Sequence, residues 1–197
     1  MTNGATAVYD RTAAIRAIDA RLVDSRPIVV AIEARSGVGK STFARQIADE
    51  VDANVIQGDD FYAGGVTLRP DGPGERMAHC IDWKRQRPVL EALRRSERAA
   101  WCRFDWDAFD GSLEASARTC DPPKVVLLEG VYCARHELRD LLDLRVLLRA
   151  PQALHIKQLV AREGSISPWE KQWLEAEDHY FASVVSADGF DLVLDER

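Results

Sequence analysis

The chain has 197 residues, a formal net charge of −6, 46% hydrophobic and 29% charged residues. That length predicts one domain over residues 1–197 with its own core, and the composition excludes collagen-like, mucin-like and disordered classes. The acidic balance, with a pI near 5.3, argues against nucleic-acid partners. No apolar run approaches the roughly 20 residues of a membrane span, and the opening stretch MTNGATAVYDRTAAIRA lacks the cationic-then-apolar order of a signal peptide.

In chain order, Asp10 to Val23 reads as an amphipathic helix capped by Asp10. Pro27 to Glu33 is a continuous apolar run, the mark of a strand buried on both faces. A glycine-containing turn and a helix from Lys40 to Glu50 follow, then a short strand, Asn54 to Ile56. Residues 63–79, rich in Gly and Pro, read as a loop. Pro88 suits the first turn of a helix running to Arg95. Lys124 to Glu129 is a second buried strand, followed by a short helix (His136 to Leu142), a strand (Leu144 to Leu148), two helices (Gln152 to Arg162 and Trp169 to Phe181) and a last strand (Phe190 to Leu194). Apolar strands alternating with helices predict an α/β fold with a parallel sheet covered on both faces. Trp169 and Trp173 lie four apart on one helical face and are expected in the core. The four cysteines, Cys80, Cys102, Cys120 and Cys133, form no C-x-x-C pair and read as reduced thiols of a cytoplasmic protein.

The strongest local signal is Ala34-Arg-Ser-Gly-Val-Gly-Lys-Ser-Thr42. It meets G-x-x-x-x-G-K-[ST] at every position but the first, between an expected strand and an expected helix. Gly37 and Gly39 let backbone N–H groups turn toward phosphate oxygens, and the following helix adds its positive dipole end. Lys40 reaches the β- and γ-phosphates and Ser41 is a ligand for Mg²⁺. Parallel sheets place ligands at the carboxyl ends of their strands. Two expected strands end in acids, Gln57-Gly-Asp-Asp-Phe-Tyr62 and Leu128-Glu129. Glu129 would hold Mg²⁺, and the acid pair suggests a base for a hydroxyl beside an aromatic wall.

These segments together resemble the uridine kinase-like family of P-loop kinases, which includes nicotinamide riboside kinases and bacterial pantothenate kinases. Ser36 to Thr42 (Ser36, Gly37, Val38, Gly39, Lys40, Ser41, Thr42) resembles its phosphate cradle, Asp59-Asp-Phe-Tyr62 its base segment, Ile81-Asp82-Trp83 and Phe104-Asp105-Trp106 its substrate segments, and Leu128-Glu129-Gly130 its strand-end acid. The resemblance implies a three-layer P-loop fold of about five parallel strands, with a small helical lid at about 163–168. It implies an ATP- and Mg²⁺-dependent kinase acting on a hydroxyl of a small molecule. In that scheme Asp59 is the base, Asp82 orients the acceptor, and Tyr62, Trp83, Phe104, Asp105 and Trp106 surround it. Lys40 and Arg162 neutralise charge, and Ser41 and Glu129 hold the metal. A homo-oligomer is compatible with this scheme; nucleic-acid and membrane partners are not expected. A nucleotide-binding regulatory protein without turnover is the alternative. His155 and Gln158 stand where the family carries arginines, while Asp59 and Asp82 have no purpose in a switch.

Overall fold

The computed structural model describes residues 8–196, so the first residues of the stretch read as lacking a leader lie outside the described region. Five strands form one parallel sheet: β1 (Ile28–Glu33), β2 (Ala53–Gln57), β5 (Val125–Glu129), β6 (Leu144–Arg149) and β7 (Leu192–Asp195), in the order β2-β5-β1-β6-β7. Every residue of β1 and β5 is buried, as continuous apolar runs between two neighbouring strands require. Ile28, Val30 and Ile32 alternate onto the face covered by α1 (Arg11–Asp19) and α2 (Lys40–Ala48), where they meet Ile18, Phe43 and Ile47. Val29 and Ala31 face the opposite way, in the cluster that holds Phe61, Leu90, Leu93 and Tyr180. The expected α/β fold with a two-sided parallel sheet is therefore what the chain forms.

Several boundaries differ from the sequence reading. α1 stops at Asp19, and Leu22 and Val23 are exposed, so no core contact holds a further turn. Part of the expected 63–79 loop is a helix, α3 (Pro73–Cys80), with Pro73 in its first turn and Gly72 N–H donating to Glu75 Oε2 at 3.4 Å. α4 (Trp83–Arg94) begins earlier than expected because Asp82 caps it, accepting from the N–H groups of Lys84 at 3.0 Å and Arg85 at 3.3 Å. Pro88 thus lies inside that helix, on its exposed side. An antiparallel ribbon, β3 (Ala99–Trp101) with β4 (Arg118–Cys120), was not anticipated; such short strands carry little periodicity.

α5 (Gln152–Glu163) and α6 (Pro168–Ser183) complete the chain's helices. Gly164, at φ +82°, ends α5, and Ser167 starts α6 with a capping box: its hydroxyl accepts from Glu170 N–H at 3.2 Å, while the Glu170 carboxylate accepts from Ser167 N–H. α6 is tied to the 63–72 segment by Gln172, whose amide accepts from Arg69 N–H at 2.9 Å and donates to Arg69 O at 2.8 Å. No helix among the described residues is long and apolar enough to cross a membrane.

Candidate active site

The turn between β1 and α2 is shaped by two glycines. Gly37 and Gly39 have φ of +77° and +88°, a region that L side chains rarely adopt. A Cβ at Gly37 would also lie 2.6 Å from His155 O and 2.9 Å from Leu159 Cγ, because α5 rests on the turn. Tyr9 Oη donates to Val38 O at 3.0 Å from the other side. Lys40, the first residue of α2, folds back so that Nζ donates to Arg35 O at 3.1 Å. Ser41 follows it and faces the same cleft as Glu129; Thr42 lies in the same helical turn.

Glu129 ends β5, in register with Gln57 of β2. The two strand ends approach closely because both continue into glycine: a Cβ on Gly130 would sit 3.1 Å from Gly58 Cα. That contact carries Asp59 to the mouth of the same cleft, where its charge, together with burial, raises the Glu129 carboxyl while Lys40 opposes the rise. Asp59 is exposed and Asp60 is buried. The Asp60 carboxylate accepts from Trp101 Nε1 at 2.8 Å, so the unforeseen ribbon holds this acid in place.

A cleft of about 610 Å³ runs from the cradle to an aromatic wall, lined among others by Ser36, Ser41, Asp59, Glu129, Arg162 and Trp106. Trp106 stands 5.0 Å from Tyr62 and stacks with Phe109 at 6.1 Å between ring centroids. Phe104 is buried beneath them, 4.9 Å from Tyr62. Trp169 and Trp173 stack at 5.9 Å, pack against the core as expected, and also line the cleft. They share one helical face as read, but that face borders the cavity. Two expected substrate residues lie elsewhere: Asp82 caps α4 and Trp83 packs on the core. Asp105 accepts from the N–H groups of Asp107 at 3.1 Å and Ala108 at 2.9 Å, stabilising the turn that presents Trp106.

Two buried acids escaped the sequence reading. Glu33, the last residue of β1, accepts from Tyr132 N–H and Ala134 N–H, both at 3.0 Å, and from Tyr180 Oη at 3.2 Å. Burial pushes it up to about 7. Glu177 of α6 accepts from the backbone N–H and hydroxyl of Ser36 and from Trp173 Nε1, and burial raises it too. Lys40 counters both shifts, as it does for Glu129. An acid ending an apolar strand is a weak signal that could have marked Glu33; nothing local distinguished Glu177 within Trp173-Leu-Glu-Ala-Glu177.

The hard oxygen donors at Ser41 and Glu129 suit Mg²⁺, which keeps several waters and takes phosphate oxygens alongside one or two protein ligands. Among the described residues no group of three or more His, Cys, Asp or Glu is arranged as a metal cage.

No protein-family profile and no curated protein matches the chain. Solved structures do. A possible uridine kinase from Bacillus stearothermophilus superimposes with a TM-score of 0.69 at 20% identity, over 93% of this chain and 96% of that one. A candidate fructose transport system kinase from Silicibacter sp. TM1040 gives 0.65 at 21% identity, over 93% and 98%. D-glycerate 3-kinase from Cryptococcus neoformans var. grubii gives 0.57 at 13% identity, over 84% and 82%. With the sheet order and the glycine turn, these likenesses show that the chain shares their fold, a five-stranded parallel α/β sheet of P-loop NTPase-like architecture.

Proposed function

We propose that the chain is a single-domain kinase that moves the γ-phosphoryl group of ATP to a hydroxyl of a small, ring-bearing metabolite of the nucleoside-like kind. One observation carries this reading: Ser36 and Ser41 of the cradle, the strand-end acids Asp59 and Glu129, and Arg162 all line a single cleft that ends in tryptophans. The kinase names among the structural likenesses support it.

Phosphoryl transfer asks mainly for positioning and charge neutralisation. The turn's N–H groups, from Ser36 to Thr42, would hold the phosphates, and Lys40 would leave Arg35 O for them. Ser41 and Glu129 would hold Mg²⁺, which would supply positive charge to offset that of the phosphates. Asp59 accepts the acceptor's hydroxyl proton and orients it; Asp60, committed to Trp101, fixes the turn on which Asp59 stands. Trp106, Phe109 and Trp169 supply an aromatic wall for the acceptor, backed by the buried Tyr62 and Phe104, with Asp105 holding the turn that presents Trp106. Arg162 adds positive charge from the lid side, and the 163–168 connection closes over the nucleotide.

The test is ATP consumption by the purified chain against a panel of nucleosides, sugars and hydroxy acids. Turnover that requires one of them and vanishes in Lys40→Ala supports the kinase. Binding of ATP without turnover on any acceptor would favour a nucleotide-binding regulator instead.

A further inference from the structure

The chain from Arg103 to Glu114 forms a short hairpin at the aromatic end of the cleft. Glu114 N–H donates to Arg103 O at 2.8 Å and Phe104 bridges to Leu113, which closes its base. Phe104 N–H donates to Asp60 O at 2.8 Å, tying the hairpin to the turn that carries Asp59. Near its tip Phe109 has φ +45°, a left-handed backbone that a bulky residue adopts at a cost. Its ring sits at the rim against Trp106 and Trp169 and stays 36% exposed, so little core packing repays that cost. Arg103, at the base, is half-buried and lines the same cleft. Its Nε is enclosed and pairs with the Glu114 carboxylate. Nη1 and Nη2 are not enclosed, and neither makes a hydrogen bond among the described residues. Polar groups beside it are committed: Trp106 Nε1 donates to Asp59 O at 3.3 Å, Asp60 accepts from Trp101 Nε1 at 2.8 Å, and Glu170 accepts from Ser167 N–H. Glu114 already balances the guanidinium charge, so the open edge suits a neutral ligand better than an anion. That edge is rigid and planar with two N–H groups side by side, a match for two adjacent acceptor atoms in one plane.

We propose that Arg103 is the specificity-determining residue of the acceptor end, its Nη pair receiving two neighbouring acceptor atoms on the edge of a neutral heterocycle that lies against the aromatic wall. A cytosine presents such an edge at O2 and N3, and a 6-oxopurine at O6 and N7. Uracil places N3–H between its two carbonyls, and adenine sets its amino group beside both N1 and N7. Either ring therefore turns a donor toward one of the two Nη groups. Donor against donor forfeits a hydrogen bond and leaves a desolvated N–H unpaired, which is the source of the discrimination. The proposal rests on the kinase reading only in taking the aromatic end as the place of the acceptor.

Calorimetric titration of the full chain with cytidine, inosine, uridine and adenosine, in the presence of a nonhydrolysable ATP analogue and Mg²⁺, tests it; the four share one ribose and differ in the ring edge. Cytidine or inosine should bind roughly ten- to a hundredfold more tightly than uridine and adenosine. Which of the two does so assigns the pyrimidine or the oxopurine edge. Arg103→Lys keeps the charge opposite Glu114 but not the planar fork, so it should bring the four affinities together by weakening the tight ones. Glu114→Gln removes the ion pair and keeps the fork, so the discrimination should persist. Equal affinities for the four in the wild type overturn the proposal, as does undiminished discrimination in Arg103→Lys. Discrimination lost in Glu114→Gln as well as in Arg103→Lys also overturns it, because the fold of the hairpin rather than the fork would then be the cause. Absence of binding by all four overturns it too, whereas the kinase reading falls only if no acceptor of the wider panel gives turnover that depends on Lys40. Arg103-dependent discrimination without turnover supports the proposal and removes the kinase.

Discussion

Asp59 and Asp60 are neighbours in sequence with opposite surroundings. Asp59 is open to the cleft and Asp60 is buried against Trp101. The divergence was expected from strand alternation, but both residues lie in the 3₁₀ turn Gly58–Phe61 beyond the end of β2, where successive side chains point about 120° apart. Asp59→Asn keeps the size but cannot take a proton, so kcat should fall by about 10² to 10⁴ with ATP affinity little changed. Asp60→Asn retains an acceptor for Trp101 and should leave kcat near the parent value; steady-state kinetics and ATP titration of both variants decide this. Glu33 supports a prediction the sequence could not, because its value depends on three donors from distant parts of the chain. Burial raises it from 4.5 to about 7. With the folded value above the unfolded one, the native chain holds the proton more tightly. This contribution to stability is complete below about pH 4.5 and disappears as pH rises to about 7, amounting to about 3 kcal/mol. In urea unfolding across that range, the stability of the wild type relative to Glu33→Gln should decline as pH rises. A difference that stays flat would mean that folding leaves the Glu33 carboxyl at its ordinary value.

At the scale of elements, the helices that cover the site were partly legible and partly not. The glycine turn was legible because its residue types have no other use in a strand-to-helix junction. That α5 lies directly on Gly37 was not, since helix packing across 118 residues of sequence leaves no local trace; the contact is His155 O against Gly37. Gly37→Ala combines that collision with an unfavourable φ of +77°. It should lower stability by about 1 kcal/mol or more and weaken nucleotide binding together. Proline and glycine made α3 look like loop, whereas Pro73 serves as a helix start. The α5–α6 connection was legible in outline from Gly164 and Pro168. If it closes over nucleotide, amide exchange across 160–170 should slow when a nonhydrolysable ATP analogue and Mg²⁺ are added; unchanged exchange there would remove the lid from the mechanism.

For the molecule as a whole, the alternation of apolar strands and helices was enough to read a two-sided parallel sheet, and the sheet order then puts β1 between β5 and β6, with the chain crossing from one side to the other. Such a switch point opens a crevice at the strand ends, and the cleft lies there. What remained unread was the linkage across it. α6 grips the expected phosphate side through Glu177 and Ser36, borders the expected acceptor side through Trp169, and is anchored behind the aromatic wall by Gln172 on Arg69. One rigid rod thus spans both halves of the crevice, and neither substrate can shift it without the other half responding. The two ligands should therefore bind synergistically, with a mutual effect of roughly five- to a hundredfold on affinity. Calorimetric titration of the acceptor with and without an ATP analogue measures it. Gln172→Ala should bring the two affinities for acceptor together while each ligand alone binds about as before. Ser36 of the cradle, meanwhile, bonds a carboxylate where an incoming triphosphate would present its own negative oxygens. On the proposed function, nucleotide entry would be an exchange of one anion for another, and acidification that protonates Glu177 should favour the newcomer.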